Sequence, residues 1–196
     1  MRTKILVIAG AILCGLLVVF GIGAVTNRPF PPGGGSRQSE PDLDQSSTPA
    51  DRQIRNSLAF VQRSPKVPTG YNLLAAAYMQ KARETGDFGY HAKAEAALKR
   101  SFEVAPGNQQ ATRLQAYLLL AYHRFGEALE MARRAVAQQP KDYEAHGALV
   151  DALVELGMYE EARRAVQSMI DLRPYTASFA RASYLRSLYG DTEGAI

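Results

Sequence analysis

The chain has no tryptophan, a single cysteine and three histidines in 196 residues. Cys14 alone cannot form an internal disulfide, so the fold rests on packing and tolerates an oxidising compartment without needing one. His91, His123 and His146 stand at three different places in the repeat with no second histidine at ligand spacing, which argues against a metal site. No Gly-x-Ser-x-Gly, His-Glu-x-x-His, Walker or dinucleotide pattern occurs. Gly33-Gly34-Gly35 follows no strand signal and precedes no Lys-Ser/Thr pair, so it reads as tether, not as phosphate loop. Charge is nearly balanced, 23 basic against 19 acidic side chains for a net +4. That is no case for a nucleic-acid partner, and the tight pairs Arg133-Arg134 and Arg163-Arg164 read as solvated helix faces. These absences leave no cofactor and no catalytic residue to assign, and the chain is expected not to be an enzyme.

What is present is punctuation at a fixed interval. Pro106, Pro140 and Pro174 stand 34 residues apart, and each is followed two places on by a residue able to cap a helix: Asn108, Asp142 and Thr176. The units between them align without a gap. Gln115-Ala116-x-x-Leu119, His123-x-Phe125-x-x-Ala128, Ala132, Ala135 and Pro140 match Leu149-Val150-x-x-Leu153, Gly157-x-Tyr159-x-x-Ala162, Val166, Met169 and Pro174. Ala128 and Ala162 fall where two antiparallel helices must approach within about 8–10 Å, which a small side chain permits. Leu119, Leu153, Phe125 and Tyr159 are expected to supply an apolar stripe that a helix pair cannot bury alone, so the pairs must stack.

This pattern resembles the tetratricopeptide repeat from roughly Thr69 onward, with Tyr71, Thr112 and His146 where that family opens on an aromatic. The resemblance implies an all-α, right-handed superhelical array of antiparallel helix pairs over 66–196, with units at about 69–106, 109–140, 143–174 and a partial one at 176–196. It implies a protein- or peptide-binding concave face lined by first helices. By register that face takes Asn72, Ala76 and Met79, then Arg113, Tyr117 and Leu120, then Gly147, Asp151 and Val154. The clamp for the acidic tails of cytosolic heat-shock chaperones is not reproduced: Asn72 is present, but Ala76, Glu144 and Ala148 occupy its later points.

The first unit carries seven extra residues between Tyr78 and Ala94, compared with the spacing from Leu119 to Ala128. They fall in Met79–Asp87 and are mostly good helix formers, which predicts about one and a half extra turns before Gly86 ends the helix. Ahead of it, Asp51 to Ser64 sets Ile54, Leu58 and Val61 on one face, behind a start signal of Thr48, Pro49 and Asp51. This segment, 51–65, reads as a helix capping the stack.

At the other end Phe179, Ala182, Leu185 and Leu188 predict another first helix, and Gly190-x-Thr192-x-x-Ala195 repeats the turn after it. The face left uncovered there predicts either a longer protein or self-association. At the amino end, Ile5 to Val25 is an uncharged run long enough to cross a hydrocarbon core of about 30 Å. Arg2 and Lys4 before it favour an N-terminus inside and repeats outside the cytoplasm, at a bacterial inner membrane. Small residues at Gly21–Ala24 leave export after signal cleavage open as the alternative. Ala11-Ile12-Leu13-Cys14 has Leu where a lipoprotein signal has a small residue. Residues 27–50, rich in Pro, Gly and Ser, have linker composition.

The expected function is therefore a membrane-tethered scaffold for protein–protein interaction, in the assembly or maintenance of an envelope complex. The alternative is a non-catalytic repeat region of a larger, C-terminally truncated enzyme or regulator.

Overall fold

A computed structural model describes residues 48–195, and all of their regular structure is helical: α1 (Pro49–Arg63), α2 (Pro68–Thr85), α3 (Gly89–Val104), α4 (Gln109–Ala121), α5 (Phe125–Gln138), α6 (Tyr143–Glu155), α7 (Tyr159–Leu172) and α8 (Thr176–Leu188). The apolar run Ile5–Val25 and the linker up to position 47 lie outside the described residues. Among the described residues no helix is long and apolar enough to cross a membrane.

The 34-residue interval becomes three antiparallel pairs, α2–α3, α4–α5 and α6–α7, each packed on the next. Starts and stops follow from local chemistry. Asn108 accepts from the amide of Ala111, and Asp142 from those of Glu144 and Ala145, satisfying donors that a helix leaves open at its first turn. Thr176 does not cap: α8 begins on it, one residue sooner than the interval requires. Ser178 supplies the local bond instead, its hydroxyl taking the Tyr175 amide at 3.0 Å. Gly86, Gly157 and Gly190 end their helices at φ of 69°, 72° and 78°. His123 holds the same left-handed position at φ 56° with a side chain that disfavours it.

The core sits between the layers of each pair. Ala94, Ala128 and Ala162 are completely buried, at the three equivalent points of closest approach. Leu98, Leu118, Val150, Leu153 and Met169 are buried around them. The expected apolar stripe holds for Leu119 and Leu153, but Phe125 is only half-buried and Tyr159 is exposed, its ring set edge-to-face on Tyr189 at 6.1 Å. Tyr159 in the first turn of α7 thus meets a ring just past the end of α8 instead of entering the core.

The opening position of each unit solves the loss of tryptophan in a shared way. Tyr71, Thr112 and His146 are all buried, and each returns its polar tip to a carbonyl of the preceding turn: Pro65, Asn108 and Pro140, each at 3.0 Å. A buried polar atom costs little when it is paired this way.

The first unit is longer where the sequence says so. α2 has 18 residues against 13 in α4 and α6, and α3 has 16 against 14 in α5 and α7. The added turns of α2 carry Lys81, which reaches Asp51 of α1 at 2.8 Å. α1 lies on α2 with Ala50 and Ser57 most deeply buried and Ile54 and Val61 half-buried. Leu58, expected on that face, is exposed.

Candidate functional site: the seam between first helices

α2, α4, α6 and α8 lie side by side, each touching the next. Helix pairs stacked in one direction bring every first helix against its successor, so the side chains assigned by register to the inner face meet across these seams.

At the first seam Asn72 is 2% exposed, and its amide donates to Asn108 Oδ1 at 3.3 Å and Gln110 Oε1 at 3.1 Å. Its own oxygen accepts from Ser101 at 2.7 Å, and Asn108 donates to the same hydroxyl at 2.9 Å. Every polar atom of Asn72 is paired. Beside this network a cleft of about 530 Å³ is lined by amide side chains, Asn72, Asn108, Gln109, Gln110 and Gln139 among them. Met79 is buried in the core further along α2, while Ala76 is half-buried.

The second seam is ionic. Arg113 bridges Asp142 at 2.7 Å and Glu144 at 2.8 Å, and the Tyr117 hydroxyl donates to the Glu144 carbonyl at 2.8 Å. Burial pushes the Tyr117 phenol well above the usual tyrosine range, so it stays a donor at any ordinary pH. Gly147 makes room for it: a Cβ there would stand 2.9 Å from the Tyr117 hydroxyl. At the third seam Asp151 accepts two bonds from Arg181, at 2.7 and 2.6 Å. Burial works against the Arg181 charge, but this fork-to-carboxylate pairing outweighs it and holds the guanidinium protonated. Leu120 and Val154 are half-buried against the core.

Asn72, Arg113, Tyr117 and Asp151 are thus joined to neighbouring helices, and Met79 is in the core. Other residues at the same edge were not signalled by register. Tyr143 begins α6, and Arg173 and Tyr175 occupy the turn before α8. The Tyr143 and Tyr175 rings meet edge-to-face at 5.3 Å, with Arg173 over both. The available signal was the pair of tyrosines themselves, one opening a first helix and the other just before the next.

The histidines stay apart. His91 is buried between Phe88 and Tyr122, and burial, then the Arg83 charge, lowers its pKa. His123 is exposed on a turn and His146 is bonded to Pro140. Among the described residues no group of His, Cys, Asp and Glu is arranged to hold a metal.

Comparison with known proteins agrees with this geometry. Residues 119–182 match the family model described as tetratricopeptide repeat. No curated protein matches the sequence. Among solved structures, MamA (residues 41 to the end) from Desulfovibrio magneticus RS-1 superposes with a TM-score of 0.57 at 18% identity, over 74% of this chain and 79% of that one. A thermophilic TPR protein from Thermus thermophilus gives 0.59 at 21%, over 74% and 73%. YrrB, described as a TPR protein with an unusual peptide-binding site, gives 0.52 at 18%, over 75% and 73%. At such identities the likeness is one of fold. Residues 119–182 match the tetratricopeptide-repeat model, and the described helices as a whole take the fold of the tetratricopeptide-repeat proteins they superpose on.

Proposed function

We propose that the array is a scaffold that holds segments of other proteins against its first helices. The observation that carries this is the unbroken succession α2, α4, α6, α8, which makes one surface from four helices where a single pair would offer only a ridge. The peptide-binding site named for YrrB is in keeping with it. Asn72, Arg113, Tyr117, Leu120, Asp151 and Val154 are the proposed face, with Met79 in the core behind it. In this reading Leu120 and Val154 touch the partner, while the paired residues keep the helices in register beneath it. Ile5–Val25 tethers the scaffold to a bacterial inner membrane with the repeats outside the cytoplasm, and the work is assembly or upkeep of an envelope complex. The α8 face is the part proposed to meet a second copy.

A photo-crosslinking residue at Leu120 or Val154 in the full chain, irradiated in native membranes, tests this. Discrete protein adducts are expected there and not from Gln167 on the outer helix α7. Equal labelling from all three positions, or none, would overturn the inner-face assignment.

A further inference from the structure

Three arginines stand along the edge where α6 and α8 begin, and two are neutralised: Arg113 by Asp142 and Glu144, Arg181 by Asp151. Arg173 has no acidic partner among the described residues. It is nonetheless held. Its guanidinium carbon lies 4.7 Å from the centre of the Tyr143 ring and 5.0 Å from that of Tyr175, and it donates one bond to the Tyr143 hydroxyl. The two rings brace each other at an interplanar angle of 79°.

An exposed arginine ordinarily gives up much rotamer freedom when it binds. Stacking on two rings removes that loss beforehand, and a guanidinium bonded once still has four of its five donors. What remains is a fixed fork with the geometry of a carboxylate, walled by two rings that accept the aliphatic stem of a glutamate or its apolar neighbours. Arg173, with Lys141 as the other cation there that has no acidic partner among the described residues, is a poor match for a phosphate backbone or an anionic bilayer, both of which reward larger clusters of charge.

We propose that Arg173, clamped by Tyr143 and Tyr175, binds a side-chain carboxylate of an acidic segment in a partner protein. The site deepens the scaffold reading and rests on it. It is distinct from the face assigned by register, because none of its three residues belongs to that set. It also differs from the amide-lined cleft at the first seam, where Gln109 and Gln139 take the places of Tyr143 and Arg173 in the repeat.

The test uses the full chain in detergent and a fluorescein-labelled, C-terminally amidated peptide with an internal Glu-Leu-Glu, beside its Gln-Leu-Gln counterpart, followed by anisotropy. The acidic peptide is expected to bind about tenfold tighter than the neutral one, with the preference shrinking as salt rises. Arg173→Ala should abolish the preference without shifting the circular dichroism melt. Arg173→Lys, which keeps the charge but not the fork, should restore only part of it. Equal binding of the two peptides by the wild type, or a preference that survives in Arg173→Ala, would overturn the proposal. So would Arg173-dependent binding to phosphatidylglycerol vesicles with no peptide preference. Loss of this site leaves the Leu120 crosslinks in place, whereas failure of the scaffold reading removes those crosslinks even where the peptide binds.

Discussion

The two ends of the array are built from the same unit and finished in opposite ways. At the amino end α2 is extended, and its Lys81 closes onto the Asp51 that also caps α1 through the Thr48 amide and hydroxyl. One carboxylate therefore starts a helix and fastens it to its neighbour, and Ala50 and Ser57 are buried under the join. At the carboxyl end α8 repeats the first-helix pattern, burying Leu185 while Phe179, Leu188 and Tyr189 stay open. Stacking covers one face of a terminal helix; covering the other takes an additional element, which α1 provides for α2, whereas α8 has, among the described residues, only the turn at Gly194 and Ala195, whose carbonyls accept from Arg186 and Ser183.

The alanine contact repeated in every pair between those ends should be the most sensitive point. Ala162→Arg puts a long cation where no side chain is exposed, adding a buried charge to overpacking, and should cost more than about 3 kcal/mol in a urea titration. An unchanged midpoint would mean that α6 and α7 do not pack at that alanine. Next in size is Gly147→Leu, which meets the Tyr117 hydroxyl, Met169 and Arg181 together. A glycine inside a helix normally gives up about 1 kcal/mol relative to alanine, so its retention here reflects close approach. Leucine should destabilise by about 1–3 kcal/mol, and Gly147→Ala by much less because the propensity gain offsets part of the clash.

The amino-terminal join has a signature in acid. The Lys81 hydrogen bond first, then those from the Thr48 amide and hydroxyl, hold the Asp51 carboxyl at about 2 against an ordinary 3.8. A carboxylate depressed in the folded state stabilises fully above its unfolded value, and that contribution is lost as pH falls through the folded one. The melting temperature of the wild type should therefore fall more steeply than that of Asp51→Asn between about pH 4 and pH 2, with the variant already lower at neutral pH. Parallel curves would show that the clip adds nothing to the amino end. A small gain is expected at His123, the one turn that lacks the glycine found at its equivalents. His123→Gly should stabilise by about 0.5–1 kcal/mol, the relieved backbone exceeding the lost edge contact with Phe125.

These contrasts also separate what the sequence could reveal from what it could not. The proline interval, the small residues at Ala94, Ala128 and Ala162 and the stop at Gly86 each act through backbone rules local to one turn or one helix contact, and all are visible in the order of residues. The fate of a polar side chain is not. Arg113 and Asp151 sit at positions that register assigns to a groove, yet each finds its partner about 30 residues away, on a neighbouring first helix, through coincidences of length and rotamer that no periodicity encodes. Leu58 and Tyr159 show the same limit for apolar groups: a helical phase names a face, but the neighbour that covers it decides how far burial extends. The Tyr143–Arg173–Tyr175 stack joins a helix start to a turn one unit on, across a distance in sequence that no local rule spans.

The smallest effect should come from the open end. Phe179 is 53% exposed and Leu188 39%, so their side chains already meet solvent over much of their surface and have little burial to lose. Phe179→Ser and Leu188→Ser together should change the urea midpoint by no more than about 0.5 kcal/mol for each substitution, the range of ordinary surface changes. Leu185→Ser on the same helix removes a fully packed side chain and should cost about 2–5 kcal/mol. If the double variant were instead as damaging as Leu185→Ser, the outer face of α8 would have to be covered in the folded protein. Sedimentation of wild type and double variant then identifies the cover: a mass that halves on substitution makes it a second copy, and an unchanged mass makes it another part of the same chain.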